Sequence, residues 1–393
     1  MRPCSARFGG GLAVRPATRP PLDALSRRSP YHTDEQEVDD EATRENVIMH
    51  RNNRRGNGRI SGSAIVNGRG HGIREREQGG RGRGSAGRRG GKPDGSSSRA
   101  MLSYGLSIVG FGEERQACRS DLSVRRFRAH YGVSHRGVKS LLSDMKIYQP
   151  DKEHDVDSLF MAISWLKLYD LEEVMAGRWG FGEKHCRETV WEYAERIAAM
   201  KTIKISLNAL NPRVKFAPVD RMHNRIEELR CSPNSEYWSH KFNGPGTAFE
   251  VVTDPVDGGA IRWARGPAPC SSHDITYFRG GKKGQKHKWD RSSLYFNIPE
   301  GVRLVGDSAY GGQPDKVSIT KDAHNPETKK LFARMKSMQE TCFKRLKAFQ
   351  VLGGTFRHGK NKEDKLKKIG IVFDASAVLL QYDIENGYPL FEV

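Results

Sequence analysis

The sequence has few cysteines, and none of them is spaced for a metal-binding knuckle. Its six cysteines are scattered over 393 residues with no Cys-x-x-Cys pair, and its histidines show no His-x-His spacing. Scattered cysteines are typical of reduced thiols in the cytosol or nucleus, whereas zinc modules and secreted disulfide scaffolds show paired spacings. The sequence therefore argues against a zinc module, and we expect a nuclear protein.

Long apolar runs are also missing. No stretch reaches the roughly 18 consecutive apolar residues that a membrane-spanning helix needs, so no membrane partner is predicted. No apolar core of the secretory kind follows the amino-terminal arginines. The acidic residues between Asp34 and Glu41 argue against an organellar transit peptide.

Acidic residues are outnumbered by basic ones. The chain has 66 Lys and Arg against 47 Asp and Glu, which gives a net charge of +19 and a sequence pI of about 9.7. Such a balance favours a polyanionic partner, and nucleic acid is the commonest one. A solvated basic surface is the alternative. The length allows two or three domains.

Residues 1 to 100 lack hydrophobic periodicity and contain a single lysine, Lys92. They are crowded with Gly, Arg, Ser and Pro, as in the arginine-glycine tract between Gly79 and Gly91. Such a segment cannot bury enough apolar surface to offset its ordering entropy, so a disordered tail is predicted. Arginine-glycine tracts suit RNA or DNA backbones. A passive tail or a gene-prediction artefact is the alternative.

From residue 120 to 205 apolar residues recur at helical spacing and predict an all-helical region. Two short helices surround Ser134, which we expect to act as an N-cap. Residues 157 to 200 then predict a helix, a short helix, a glycine-rich turn and a longer helix, which is the outline of a helix-turn-helix. In that interpretation Lys184 and Arg187 contact DNA, whereas an ordinary three-helix bundle is the alternative.

Residues 212 to 305 change to β-favouring runs, which predict a sheet. The runs Phe216–Val219, Ala248–Thr253 and Ala260–Trp263 are predicted strands. Asp257-Gly258 predicts a hairpin turn between the last two.

Two aspartates stand where apolar strands are predicted to end. Asp220 follows the first predicted strand, and Asp307 follows the short run Val302–Val305 just before a cluster of small residues. A carboxylate at the mouth of a buried strand is costly unless a cation lies opposite, so the pair predicts a metal site. The alternative for Asp307 is a turn cap that bonds its own backbone.

The strongest predicted helix is Pro326–Gln350. Glu340 lies five residues after Met335, which places it about 140° around the helix from the apolar stripe. It therefore faces either the rim of an active site or solvent, where Lys336 and Lys344 could pair with it.

Two further helices and a basic loop complete the globular part. Ser271–Arg279 is predicted to be helical, and Ile369–Tyr382 predicts an apolar helix that covers the sheet. The glycine-rich loop after residue 280 suits a phosphate backbone or a solvated surface equally. Its candidate DNA contacts are Lys282, Lys283, Lys286 and Lys288.

A carboxylate from a first strand, a second from a later strand and a third from a following helix are typical of a metal-dependent polynucleotidyl transfer site. Magnesium prefers oxygen ligands and keeps several waters, so a few carboxylates on a rigid sheet suffice. Two ions about 3.5 to 4 Å apart stabilise both the attacking and the leaving oxygen of an in-line displacement. Water or a DNA 3′-hydroxyl then serves as the nucleophile.

A series of short motifs runs through residues 212 to 393 in a fixed order. They are Pro218-Val-Asp-Arg-Met-His223, Ser239-His-Lys-Phe-Asn-Gly-Pro-Gly246, Ser272-His-Asp-Ile275, Gly306-Asp-Ser-Ala-Tyr-Gly311, Gln339-Glu-Thr341 with Arg345-Leu-Lys347, and Gln381-Tyr-Asp-Ile-Glu-Asn-Gly387. In this order they resemble the DDE superfamily endonuclease domain of Harbinger-like transposases. Residues 157 to 200 resemble the helix-turn-helix segment that precedes such domains.

The resemblance implies an α/β chain with a ribonuclease H-like, mixed-sheet catalytic domain over residues 212 to 393. The helical region over residues 120 to 205 would bind DNA, and the tail would precede it. Asp220, Asp307 and Glu340 would form an acidic triad that binds two divalent ions, Mg²⁺ or Mn²⁺.

The resemblance also implies roles for residues around the triad. His273 and Asp274 occupy the position of a His-Asp pair, so Asp274 is either an auxiliary acid or a structural residue. Lys241, Arg345 and the lysine-rich loop are expected to contact the DNA backbone. A separate DNA-binding partner protein and an oligomer are both allowed.

The function predicted from these observations is a metal-dependent DNA endonuclease or transposase-like protein. One departure from the family pattern motivates an alternative. Arg221 stands where the family commonly has glycine, and a long cation beside a metal site would crowd or repel the ions. The alternative is a domesticated transposase that binds DNA without catalysis. A third interpretation makes the arginine-glycine tail the functional part of an RNA-binding protein.

Overall fold

The computed structural model describes residues 92–93, 97–112, 115–116, 120–228 and 235–391. The tail predicted for residues 1 to 100 lies outside these ranges except for its last few positions. None of the helices in the described ranges combines the length and the apolar character needed to cross a membrane.

Six strands in the described ranges form one mixed sheet. Strand β3 pairs antiparallel with β1, β2 and β4, whereas β5 runs parallel to β1 and β6 runs parallel to β5. The mixed α/β class predicted from the sequence is confirmed. The strands are β1 (Phe216–Arg225), β2 (Trp238–Ser239), β3 (Gly244–Thr253), β4 (Ile261–Pro269), β5 (Arg303–Val305) and β6 (Val317–Ser318).

The three strands predicted from residues 212 to 305 are confirmed, and each is longer than expected. The hairpin turn also forms, since Gly258 and Gly259 adopt φ values of 55° and 87° between β3 and β4. Glycine tolerates positive φ without the steric cost that a side chain brings. Asp220 does not end its strand but lies in the middle of β1.

Twelve α-helices in the described ranges surround the sheet. Seven precede it and five follow its first strands. They are α1 (Ser98–Ile108), α2 (Ser120–Tyr131), α3 (His135–Tyr148), α4 (Val156–Leu168), α5 (Glu172–Trp179), α6 (Glu183–Ala199), α7 (Lys201–Lys204), α8 (Asp274–Arg279), α9 (Leu294–Asn297), α10 (Pro326–Lys347), α11 (Gln350–Gly353) and α12 (Lys362–Glu385).

Capping side chains explain where several helices begin. The Ser134 hydroxyl accepts a hydrogen bond from the Gly137 backbone N–H, so the predicted N-cap of α3 is confirmed. Asn325 and Asn361 cap α10 and α12 in the same way. Helix α1 was not predicted, because its serines and its glycine have low helix propensity. It is supported by the Ser97 N-cap and by packing on α2 and α3.

The helical region and the sheet share one hydrophobic core. Helix α6 packs against both α4 and α12, and α12 in turn lies on the sheet, where Phe373 stacks on Phe249 with ring centroids 3.8 Å apart. The opposite face of the sheet has its own core around Val219, Phe278 and Tyr310. Both faces of the sheet are thus covered. This packing fixes the positions of the strands that carry the predicted acids.

Asp383 joins elements that are far apart in the chain. Its carboxylate is fully buried and accepts hydrogen bonds from the Ser134 backbone N–H at 2.7 Å, from Arg128 at 2.7 Å and from Arg345. Arg345 also donates to the Tyr388 carbonyl at 2.6 Å. Arg345, expected to contact DNA, is therefore engaged in tying α10 to α12 and the carboxyl-terminal segment.

Replacing Asp383 with alanine should destabilise the fold strongly. The change removes the shared acceptor of two arginines, and breaking a buried ion pair costs about 3 kcal/mol or more. Urea unfolding followed by circular dichroism measures the effect. Glu363→Gln, which removes an exposed charge from the same helix, should stay within about 0.5 kcal/mol of the unmodified protein. Equal midpoints for the two variants would contradict this role of Asp383.

Candidate metal centre

The register between β1 and β5 brings the two predicted strand aspartates together. The parallel pairing ends where Pro218 lies beside Val305. Asp220 and Asp307 each follow two residues later, and side chains two residues apart on a strand point to the same face. Two acids that are 87 residues apart in the sequence therefore become neighbours.

A third carboxylate comes from the start of α8. Oxygen atoms of Asp220, Asp274 and Asp307 all lie within 4.8 Å of one another, and this is the one such group of metal-capable side chains in the described ranges. Oxygen ligands about 2.1 Å from a magnesium ion are at most about 4.2 Å apart across it. The all-oxygen donor set and its spacing fit a hard divalent cation after a small closure.

Asp220 is a half-buried acid whose environment raises its pKa. Its Oδ1 accepts a hydrogen bond from the Arg221 backbone N–H at 2.6 Å. Burial raises the pKa of Asp220 to about 6, the Arg221 N–H and Lys241 oppose the rise, and the charges of Asp307 and Asp274 add to it. A cation at this point would relieve the mutual repulsion of the three acids.

Asp307 combines the two roles considered from the sequence. Its Oδ1 accepts a hydrogen bond from the Ala309 backbone N–H at 2.8 Å and so caps a short 3₁₀ turn over Ser308–Tyr310. The same side chain belongs to the acidic group. The cap fixes the carboxylate in place without consuming all of its lone pairs.

A cavity of about 500 Å³ opens beside Asp220 and Asp307. Its walls carry the side chains of Lys241, Lys321 and Lys336. The acids therefore face a space bordered by cations, which suits a phosphate that must approach both. Lys321 and Lys336 were not predicted as contacts, although Lys336 had been noted as a neighbour of Glu340.

Glu340 lies outside the acidic group. It is exposed on α10, whereas the preceding residue, Gln339, is buried and lines the cavity. Gln339 Nε2 donates to the Val251 carbonyl at 3.0 Å, and its Oε1 accepts from the Thr253 hydroxyl at 3.2 Å. These bonds set the rotation of α10 and turn Glu340 outward. No ion pair with Lys336 or Lys344 forms in the described part of the chain.

The other predicted site residues are dispersed. His273 is exposed just before α8 and lies outside the acidic group. Lys184 is exposed, and Arg187 forms a two-point ion pair with Glu172. Of the predicted DNA contacts, Lys241 alone lines the cavity; the exposed loop residues Lys282, Lys283, Lys286 and Lys288 do not.

Comparisons with known proteins leave the resemblance untested. No family model, no curated protein and no solved structure matches the chain.

Replacing Asp220 with asparagine should stabilise the metal-free protein above pH 6. The folded pKa of about 6 exceeds the ordinary value of 3.8, so the folded state binds more protons than the unfolded state between these values. Stability therefore falls as the pH rises through that window, and above it the ionised carboxylate costs on the order of 2 kcal/mol.

Urea unfolding in EDTA from pH 4 to pH 8 tests this expectation. Asp220→Asn should gain stability over the unmodified protein as the pH rises, whereas Glu340→Gln, an exposed control, should follow the unmodified protein. Parallel pH profiles for all three proteins would show that Asp220 carries no such penalty.

Proposed function

We propose that this protein is a divalent-metal-dependent DNA endonuclease of the transposase type, acting in the nucleus. The observation that carries the proposal is the convergence of Asp220, Asp307 and Asp274 just beyond the point where the parallel pairing of β1 and β5 ends, next to a lysine-lined cavity. Oxygen ligands on a rigid sheet are the donor set that Mg²⁺ and Mn²⁺ use for phosphoryl chemistry.

The sheet order supports the comparison with a ribonuclease H-like fold. Three antiparallel strands, β4, β3 and β1, are extended beyond β1 by the parallel strands β5 and β6. In this arrangement the first strand is central and carries the first acid, as the resemblance implies. The arrangement of the strands therefore supports the function proposed from the motifs.

The acids beside the cavity have one role in this proposal. Asp220, Asp307 and Asp274 would hold one or two divalent ions. When bound, such ions lower the pKa of an attacking water or hydroxyl and stabilise charge on the leaving oxygen of an in-line displacement. The chain supplies no nucleophile of its own, so its contribution is to position the groups and neutralise charge.

The lysines around the cavity would hold the DNA backbone. Lys241 lies close enough to donate to the Arg221 carbonyl at 3.5 Å, and Lys321 and Lys336 border the same space from other elements. Contacts between lysine and phosphate release counterions and make binding strongly dependent on salt. The net charge of +19 adds a long-range attraction for nucleic acid.

A second candidate function is DNA binding without catalysis. The outward position of Glu340 favours it, because the acid that the resemblance assigns to the third triad position is absent from the group. The two proposals differ in one measurable property, which is metal-dependent cleavage of DNA by the purified protein.

Replacing Asp307 with asparagine should abolish cleavage and leave duplex binding nearly unchanged. Asparagine keeps the oxygen that caps the Ser308–Tyr310 turn, so the fold is retained while one anionic ligand is lost. Nicking of supercoiled DNA with Mg²⁺ or Mn²⁺ measures activity, and fluorescence anisotropy measures binding.

The matched control for this experiment is Asp315→Asn, which removes an exposed acid from the following loop. It should cut at the rate of the unmodified protein. Normal cleavage by Asp307→Asn would refute the site. A complete lack of cleavage by the unmodified protein, with DNA binding intact, would support the second function.

A further inference from the structure

The side chain of Arg221 lies on the opposite face of the sheet from Asp220 and from the cavity. The two residues are adjacent on β1, so their side chains alternate between faces. The Arg221 side chain is 0% exposed. It packs below α8, with its guanidinium carbon 4.9 Å from the centre of the Tyr277 ring. The cation that the sequence placed beside the metal site therefore does not line the cavity next to Asp220 and Asp307.

The guanidinium group of Arg221 is committed to the segment that begins α8. Its Nη1 donates to Asp274 Oδ1 at 2.8 Å and to the Ser272 carbonyl at 2.6 Å, and its Nη2 donates to the Pro269 carbonyl at 3.1 Å. One planar group thus holds both the Asp274 carboxylate and the backbone before it. Lysine cannot reproduce such a multi-point arrangement.

Asp274 has no other side-chain hydrogen bond in the described part of the chain. Arg221 donates to Oδ1, and one oxygen of this carboxylate lies within 4.8 Å of ligand atoms of Asp220 and Asp307. A carboxylate has about four lone-pair sites on its two oxygens, so Asp274 can accept from Arg221 and still bind an ion. Residues that hold metal ligands in this way typically change metal affinity when they are replaced.

A second arginine lies in the same layer as Arg221. Glu250 lies directly across from Arg221 on β3 and is fully buried, and Arg265 lies across from Glu250 on β4. The guanidinium carbon of Arg265 is 4.8 Å from the centre of the Tyr277 ring, but Arg265 pairs with Asp290 instead of Asp274. The layer contains two similar arginines, of which one holds a candidate ligand.

We infer that Arg221 is a positioning residue that fixes Asp274 as the third metal ligand, in place of the Glu340 expected from the resemblance. This inference rests on the proposed function, because it assumes that the acidic group binds a divalent ion. Arg221 has no contact with the ion in this scheme and acts through Asp274.

Direct binding of Mn²⁺ to the full-length protein tests the inference without an activity assay. Binding is measured by titration calorimetry and by the loss of the electron paramagnetic resonance signal of the free ion. Arg221→Lys and Asp274→Asn should each weaken Mn²⁺ binding by about 10- to 100-fold. The control Arg265→Lys, which also alters the Tyr277 contact and an ion pair, should bind Mn²⁺ like the unmodified protein. Glu340→Gln should do so as well.

The double variant Arg221→Lys with Asp274→Asn separates a positioning role from a general one. If Arg221 acts through Asp274, the double variant binds Mn²⁺ no more weakly than Asp274→Asn alone. A further loss of affinity in the double variant would overturn the inference, as would unchanged binding by Arg221→Lys or a loss of affinity in Glu340→Gln equal to that of Asp274→Asn.

Two further results keep this test distinct from that of the proposed function. If Asp220→Asn and Asp307→Asn weaken Mn²⁺ binding but Asp274→Asn does not, the metal site stands and the inference fails. If the unmodified protein binds no Mn²⁺, both fail. Should Arg221→Lys not fold, as judged by circular dichroism, Asp274→Asn keeps the inference falsifiable, because its amide oxygen still accepts from Arg221 and unchanged Mn²⁺ binding would overturn the inference.

Discussion

The constraint on which the rest of this structure depends is the mutual repulsion of three carboxylates that meet in one partly buried place. Two unit charges about 4 Å apart at an effective dielectric constant of about 20 interact with about 4 kcal/mol. The fold offsets part of this cost with neighbouring donors. Backbone N–H groups serve Asp220 and Asp307, and Arg221 serves Asp274.

Each of these donors belongs to an element whose position is fixed by contacts with distant parts of the chain. The cap on Asp307 belongs to the turn that follows β5, and the arginine on Asp274 belongs to β1. Helix α12 packs over the sheet on one side and against the amino-terminal helices on the other. The Asp383 carboxylate ties α12 to α10 and to the start of α3. The acids therefore converge because distant segments hold the strands rigidly.

The predicted helix-turn-helix is structurally part of this scaffold. Helices α4, α5 and α6 form as expected, and α6 buries one face against α4 and α12. Its first turns carry acids as well as bases, and Arg187 is paired with Glu172. The basic residues free to meet a phosphate near the acids are instead Lys241, Lys321 and Lys336. DNA contact through α6 stays a prediction.

The sequence by itself determined the local features of this protein. Strands, turns and helix caps depend on residues that are neighbours in the sequence. The strands, the β3–β4 hairpin and the Ser134 cap could therefore be predicted. The proximity of Asp220 and Asp307 was also predictable, since each follows a short run of apolar residues. Buried thiols at Cys186, Cys270 and Cys342 agree with the absence of paired cysteines.

Only the tertiary structure decided which third acid joins the pair. The rotation of α10 is set by Gln339 bonding to β3, 86 to 88 residues earlier in the chain, and no local pattern contains that information. The same is true of Arg221. Its position next to Asp220 in the sequence suggested a cation at the metal site, but side chains alternate along β1 and Arg221 lies on the opposite face of the sheet. Local propensity acts over a few residues, whereas the direction in which a side chain points depends on partners that only the folded chain brings near.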